Sequence, residues 1–353
     1  VRASACQSRT FPTLLILLVA GALASCAPAP RLVSMDGGGR AYYQTSFPVH
    51  DTSGELEEAV RSVKQISYTA EYTTHLFTFE EGVTDVDLLA GDVSARAART
   101  LSEVQSKAGT ATIIGRSLDR ITLLTTHHVV HLPEVVVSYY ETEPGQRRAQ
   151  PPRVASVSYR TSELGGLLQH PDLGPFEVVA RDERNDLAVL GMRLREWSDP
   201  AQYPPLRLAI GDARRLSWGS FVYVLGFPRG YPMVTRAIVS DPDRDGNGAF
   251  FTDGLWNEGI SGGMILAVRG ETGALEPVGL ARAGAADREL RLLPDTTGIP
   301  VDQDLMRPYA GTLYLESFLR IQYGITLSVP MTVVNEFLAS SRAMIRNRGY
   351  PLP

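Results

Sequence analysis

The chain has 353 residues, 44% hydrophobic and 21% charged, which supports one large or two modest cores and excludes intrinsic disorder. A formal charge of −5 and an isoelectric point near 5.8, with no long basic run, exclude a nucleic-acid partner. Cys6 and Cys26 are the two cysteines, so a disulfide beyond Cys26, a cysteine nucleophile and a cysteine-based zinc site are excluded too.

Arg2 and Arg9 precede an apolar run, Thr13 to Ala24, that closes on Leu23-Ala24-Ser25-Cys26. A basic segment, a short apolar core and small residues make residues 1–25 an export signal, and about a dozen apolar residues are too few to cross a bilayer comfortably. The four closing residues resemble a bacterial lipobox. That resemblance implies lipidation of Cys26 and anchoring in the cell envelope, with Ala27 pointing to the outer membrane.

Residues 26–54, rich in Pro, Gly and small polar residues, read as a flexible tether. An N-terminal extension, residues 55–108, follows. Thr52-Ser53-Gly54-Glu55 fits a capping box, and Leu56, Ala59, Val60 and Val63 recur at helical spacing, which predicts a short helix. Ile66, Tyr68, Ala70 and Tyr72 alternate as a half-buried strand, and Asp85 to Ser106 read as a mostly polar helix.

From Gly109 short apolar or alternating runs recur between turns: TATIIG, RITLLTTHHVV, EVVVSYYE, RVASVSYR, FEVVARDE, DLAVLGM, FVYVLGF, TRAIVS, GMILAV and EPVGLARA. This pattern predicts an antiparallel sandwich or barrel. Arg195 to Pro205 is the expected connection between two units, residues 109–200 and 201–353. Insertions are expected around Pro152 to Gly174 and, as a loop, from Ala283 to Tyr323. A strand at Gly324 to Pro330 and an amphipathic helix from Met331 to about Arg346 close the chain.

Gly259-Ile260-Ser261-Gly262-Gly263 spells GxSxG. A serine hydroxyl is a poor nucleophile unless a histidine takes its proton and a carboxylate orients that histidine. The six histidines are His50, His75, His127, His128, His131 and His170, and none follows Ser261. That excludes the α/β-hydrolase order of serine, acid, histidine and weakens an esterase reading. The order His, Asp, Ser is available: His128 closes one strand run and Asp186 opens another.

Four blocks then carry a resemblance: GTATIIG with ITLLTTHHVV, EVVARDERNDLAVL, RLAIGDARRLSWGSFVYVLGFPRGYPMVTRAIVS, and FFTDGLWNEGISGG. In that order they resemble the trypsin-like serine proteases of the HtrA (Do-like) type, and the similarity resumes at YGITLSVPMTVVNEFL. The resemblance implies an all-β fold: a chymotrypsin-like double Greek-key β-barrel with an N-terminal α/β extension and a C-terminal helix. It makes His128 the general base, Asp186 its orienting carboxylate, Ser261 the nucleophile, and the N–H groups of Gly259 and Ser261 the oxyanion hole.

His127 stands where the family has Asn or Ala. Ile260 replaces the acid that pairs with a new N-terminus in activated trypsins, so no zymogen cleavage within the barrel is expected. Met264 replaces the usual proline. The base of the specificity pocket falls at Leu255, beside Trp256, and an apolar base predicts cleavage after small or medium apolar residues. The chain ends shortly after its last helix, so no PDZ domain is expected.

Asp241 to Thr252 opens like a calcium loop, but Thr252 stands where a bidentate Glu is needed, and a polar turn is the expectation. His127, His128 and His131 show no HExxH spacing, and neither metal nor cofactor is expected. The reading is an exported, lipid-anchored serine endopeptidase acting on protein or peptide substrates. Its alternative is a latent or non-enzymatic envelope lipoprotein that retains the protease fold.

Overall fold

The computed structural model describes residues 42–48, 50–140, 151–254, 256–294 and 313–353. The elements are α1 (Ser53–Ser62), β1 (Val63–Leu76), α2 (Asp85–Ala90), β2 (Arg99–Arg116), β3 (Arg120–Thr125), β4 (Val135–Tyr139), β5 (Val154–Leu167), β6 (Glu177–Asp182), β7 (Leu187–Arg193), β8 (Phe221–Gly226), β9 (Met233–Asp241), β10 (Phe250–Thr252), β11 (Met264–Val268), β12 (Leu275–Pro294), β13 (Leu313–Pro330) and α3 (Met331–Asn347). Two antiparallel systems result, a seven-stranded sheet in the order β4-β5-β1-β2-β3-β7-β6 and a closed barrel in the order β10-β13-β12-β11-β8-β9. The all-β architecture with a C-terminal helix is the one expected; the second unit closes into a barrel, and the first is a seven-stranded sheet.

Several local readings change. Asp85 to Ser106 is not one helix: α2 ends at Ala90 before Gly91, and Arg99 onward is the start of β2. The first part of β2 is mostly exposed and its second part buried, with the change falling at Gly109. The shift of composition there is a change of burial along one strand. β1 pairs with both β2 and β5, and Ile66, Tyr68, Ala70 and Tyr72 share one apolar cluster with Ile113, Leu123 and Leu190. The strand read as part of an extension thus lies inside the first sheet. β5, which covers much of the expected 152–174 insertion, is its other neighbour.

The segment from Ala283 is strand where a loop was expected: β12 and β13 pair as far as Pro294 with Leu313. Local composition missed it because each strand is held by a partner about twenty to fifty residues away in sequence. Tyr42 to Pro48 does not read as free tether either. Tyr43 is fully buried, its hydroxyl donates to Glu276 Oε2 at 3.0 Å, and Gln44 bonds the backbone of Val268 and Phe221.

The helix ends reverse the sequence reading of the caps. Thr52 does not cap α1; its hydroxyl donates to Tyr223 at 3.4 Å, and Glu55 Oε2 accepts the Leu275 N–H at 3.1 Å, which fixes the helix to the barrel. The working capping box is Thr84 with Asp87 on α2. On α3, Met331, Val334, Phe337, Ser341 and Ile345 form one buried stripe at three- and four-residue spacing. Its apolar members share a core with Val179 and Leu187 of the sheet and Leu266 and Leu280 of the barrel. Each such side chain contributes about 1.5–3 kcal/mol on burial, so α3 helps hold the two systems, and the cleft between them, together.

Candidate active site

The site forms where the two systems meet. β3 and β7 are antiparallel neighbours with Thr125 opposite Ala188, so the turn after β3 and the residue before β7 are adjacent. That turn is a short 3₁₀ stretch, His127–Val130. The His127 N–H donates to the Asp186 carbonyl at 3.2 Å and extends the ladder by one rung.

Asp186 has φ of +58°, a left-handed conformation that Asp tolerates better than most residues. It directs the whole residue at the turn. Oδ1 accepts the His128 backbone N–H at 2.8 Å, and Oδ2 bonds His128 Nδ1 at 2.8 Å. Only 6% of Asp186 is exposed. Burial alone would raise its carboxyl; the hydrogen bonds and charge of His128, with the Arg282 charge, outweigh burial and hold it below the usual carboxylate range. With Asp186 ionised, the bond fixes the proton on Nδ1 and leaves Nε2 as the acceptor.

Ser261 lies on the turn before β11. Its carbonyl accepts the Thr110 N–H at 2.8 Å, and the next N–H, of Gly262, donates to Ala281 at 2.8 Å. Gly262 has φ of +85°, and a Cβ there would strike the Thr110 carbonyl, so this position requires glycine. Thr110 is the staple of the turn: its hydroxyl donates to the Gly259 carbonyl at 2.8 Å and accepts the Phe227 N–H at 2.9 Å.

Gly259 is also left-handed, at φ +98°, with a Cβ position blocked by the Phe227 carbonyl. The Glu258 carbonyl accepts the Arg229 N–H at 2.7 Å. In a planar trans peptide the Gly259 N–H then points away from Arg229. Among the described residues neither that N–H nor the Ser261 N–H has an acceptor.

His128 and Asp186 thus meet directly where two turns adjoin, and Gly259 and Ser261 lie on a third turn linked to them through Arg282. The Ser261 hydroxyl, however, donates to the Arg282 carbonyl at 2.9 Å, and Arg282 Nε donates to Asp186 Oδ2 at 3.2 Å. Sequence reasoning missed Arg282, Thr110 and Lys107. The signal for Arg282 was a lone charge in the apolar run Val278 to Ala286. Lys107 Nζ donates to the carbonyls of His128 and His131, at 2.8 and 2.9 Å, and ties the turn to β2; its burial lowers the ammonium below the usual lysine range.

His127 stacks on His131 with ring centroids 4.7 Å apart, and burial first, then His131, lowers it below the usual imidazole range. Trp256 is buried in the barrel cluster with Phe250, Ile260 and Ala281; Leu255 and Cys26 lie outside the described residues. Asp241, Asp243 and Asp245 accept backbone N–H groups of their own turn between β9 and β10, with no flanking helices. Among the described residues no three His, Cys, Asp or Glu side chains converge on a metal-sized site.

Residues 109–275 match the family of the trypsin-like peptidase domain. The matched stretch covers just under half of the chain and includes His128, Asp186 and Ser261. Among solved structures it is similar to the HtrA-type protease AlgW with a decapeptide, at 17% identity over 86% of this chain and 68% of that one, with a TM-score of 0.43. It is also similar to the Rv3671c protease in its inactive form, 14% identical over 83% of this chain and 98% of that one (TM-score 0.37), and to Deg5, 15% identical over 80% and 90% (TM-score 0.37). No curated protein matches the sequence significantly.

Proposed function

We propose that the protein is an exported, lipid-anchored endopeptidase of HtrA type that cleaves after small or medium apolar residues in envelope proteins. The observation that carries this reading is the Asp186 carboxylate, buried and bonded to both the backbone and the ring of His128, beside a serine turn stapled to the same sheet. In the reaction His128 Nε2 takes the Ser261 proton as Oγ attacks the scissile carbonyl. The oxyanion is received by the N–H groups of Gly259 and Ser261, a donor pair whose single loss typically costs about 100- to 1000-fold. The imidazolium then protonates the leaving amine, and water, activated in turn by His128, hydrolyses the acyl-enzyme.

A peptide library presented to the full chain is expected to show cleavage after Val, Ala and Leu that disappears in Ser261→Ala. Robust cleavage after Arg or Lys alone would overturn the specificity. The anchor rests on Cys26: radiolabelled palmitate is expected to enter the wild-type protein and not Cys26→Ser, and equal incorporation in both would remove it.

One observation favours a second reading, that the enzyme is latent at rest. The Ser261 hydroxyl is bonded to the Arg282 carbonyl, a group that cannot take its proton, and among the described residues no bond joins it to His128.

A further inference from the structure

Arg282 touches both ends of the catalytic array. Its Nε lies 3.2 Å from Asp186 Oδ2, the oxygen that His128 Nδ1 occupies at 2.8 Å, and its carbonyl oxygen holds the Ser261 hydroxyl. The pairing of β12 with β13 slips between Ala281 and Ala283, a bulge that re-aims the residue it contains. The Arg282 side chain is 37% exposed and borders a solvent-open cavity lined also by Arg184, Asn185 and Glu336. Its side chain therefore has room to leave the carboxylate.

A carboxylate oxygen shared by two partners serves each less well. As Ser261 gives up its proton, positive charge develops on the His128 ring, and Asp186 is the group that stabilises it. A guanidinium already seated on the same oxygen neutralises part of that carboxylate and repels the new imidazolium. The Arg282 carbonyl meanwhile holds the nucleophile on a neutral acceptor. Both contacts favour the resting state.

We propose that Arg282 is a positioning residue that restrains the triad, its guanidinium competing with the His128 imidazolium for Asp186 Oδ2. The inference rests on the triad reading given above and deepens it. Other charges lie near the same dyad: Lys107 from β2 and His127 from the turn each interact with Asp186, His131, Arg181 and Glu183 interact with His127, and Arg184 borders the same cavity as Arg282. They stay constant when Arg282 alone is changed, so a difference between variants reports on the guanidinium.

The test uses the full chain and a fluorophosphonate probe, with the second-order labelling rate measured against pH for wild type, R282M and R282K, and Ser261→Ala as the blank. Without the fixed cation the dyad keeps its proton to higher pH and stabilises the imidazolium better. R282M is therefore expected to raise the plateau rate roughly three- to tenfold and to move the acid limb upward by about half to one pH unit. R282K keeps the charge and is expected to move the limb less than half as far. If R282M does not fold, R282Q carries the same expectation, since it is neutral and retains a polar contact to Asp186. Ser261-dependent labelling with an unmoved limb in the neutral variants would overturn the role of Arg282 alone. Absence of Ser261-dependent labelling in every folded variant would overturn the triad reading, and this inference with it.

Discussion

Ser261→Ala is expected to abolish fluorophosphonate labelling and to lower kcat by on the order of a million-fold, the scale on which removal of a serine nucleophile acts in such triads. His128→Ala should do nearly the same. The two side chains work as one unit, so the double variant is expected to be no worse than either single one. The structure makes the comparison clean. What anchors the Ser261 turn is backbone, the carbonyl of Ser261 on Thr110 and the N–H of Gly262 on Ala281, while among the described residues the hydroxyl bonds the Arg282 carbonyl alone. Removing that hydroxyl should leave the turn in place, and an unchanged thermal midpoint would verify it. Peptide cleavage that survives in folded Ser261→Ala would assign the chemistry to another group.

The parts of this site that were legible in the sequence are those whose partners are close in the ladder. His128 and Asp186 each sit at the end of an apolar run, and the antiparallel pairing of those runs brings them together. The glycines around Ser261 mark a turn with left-handed backbone, as Gly259 and Gly262 show. Thr110 was not legible, because a threonine in a strand ordinarily signals β-propensity; its role comes from the approach of the barrel to the first sheet. Arg282 was visible only as an anomaly, a cation in an apolar strand.

The long β12–β13 hairpin failed for a different reason. Its residues carry weak alternation, and the ladder that defines them is made between segments distant in sequence. Gly109 drew a boundary within β2 because composition follows burial, and burial changes in the middle of that strand.

Asp186→Asn should lower kcat by on the order of 10⁴-fold while leaving the backbone in place, since Asn also tolerates the left-handed conformation at this position. The carboxylate accepts from the His128 backbone, the His128 ring and Arg282. An amide offers one oxygen for these three donors. If that oxygen keeps the backbone N–H, the NH₂ faces the ring, and the proton on Nδ1 must move to Nε2. That tautomer cannot accept the serine proton.

Stability gives an independent reading of the same group. The Asp186 carboxyl is held below its ordinary value, about 3.9 for an unperturbed Asp, so its contribution is fully present above that pH. It is lost as pH falls through the lower, folded value. The stability gap between wild type and Asp186→Asn, measured by chemical denaturation, should therefore be flat at neutral pH and narrow only below about pH 4. A gap that narrows as pH rises instead would mean that the folded state raises this carboxyl. A kcat loss smaller than about tenfold would mean that His128 is oriented without Asp186.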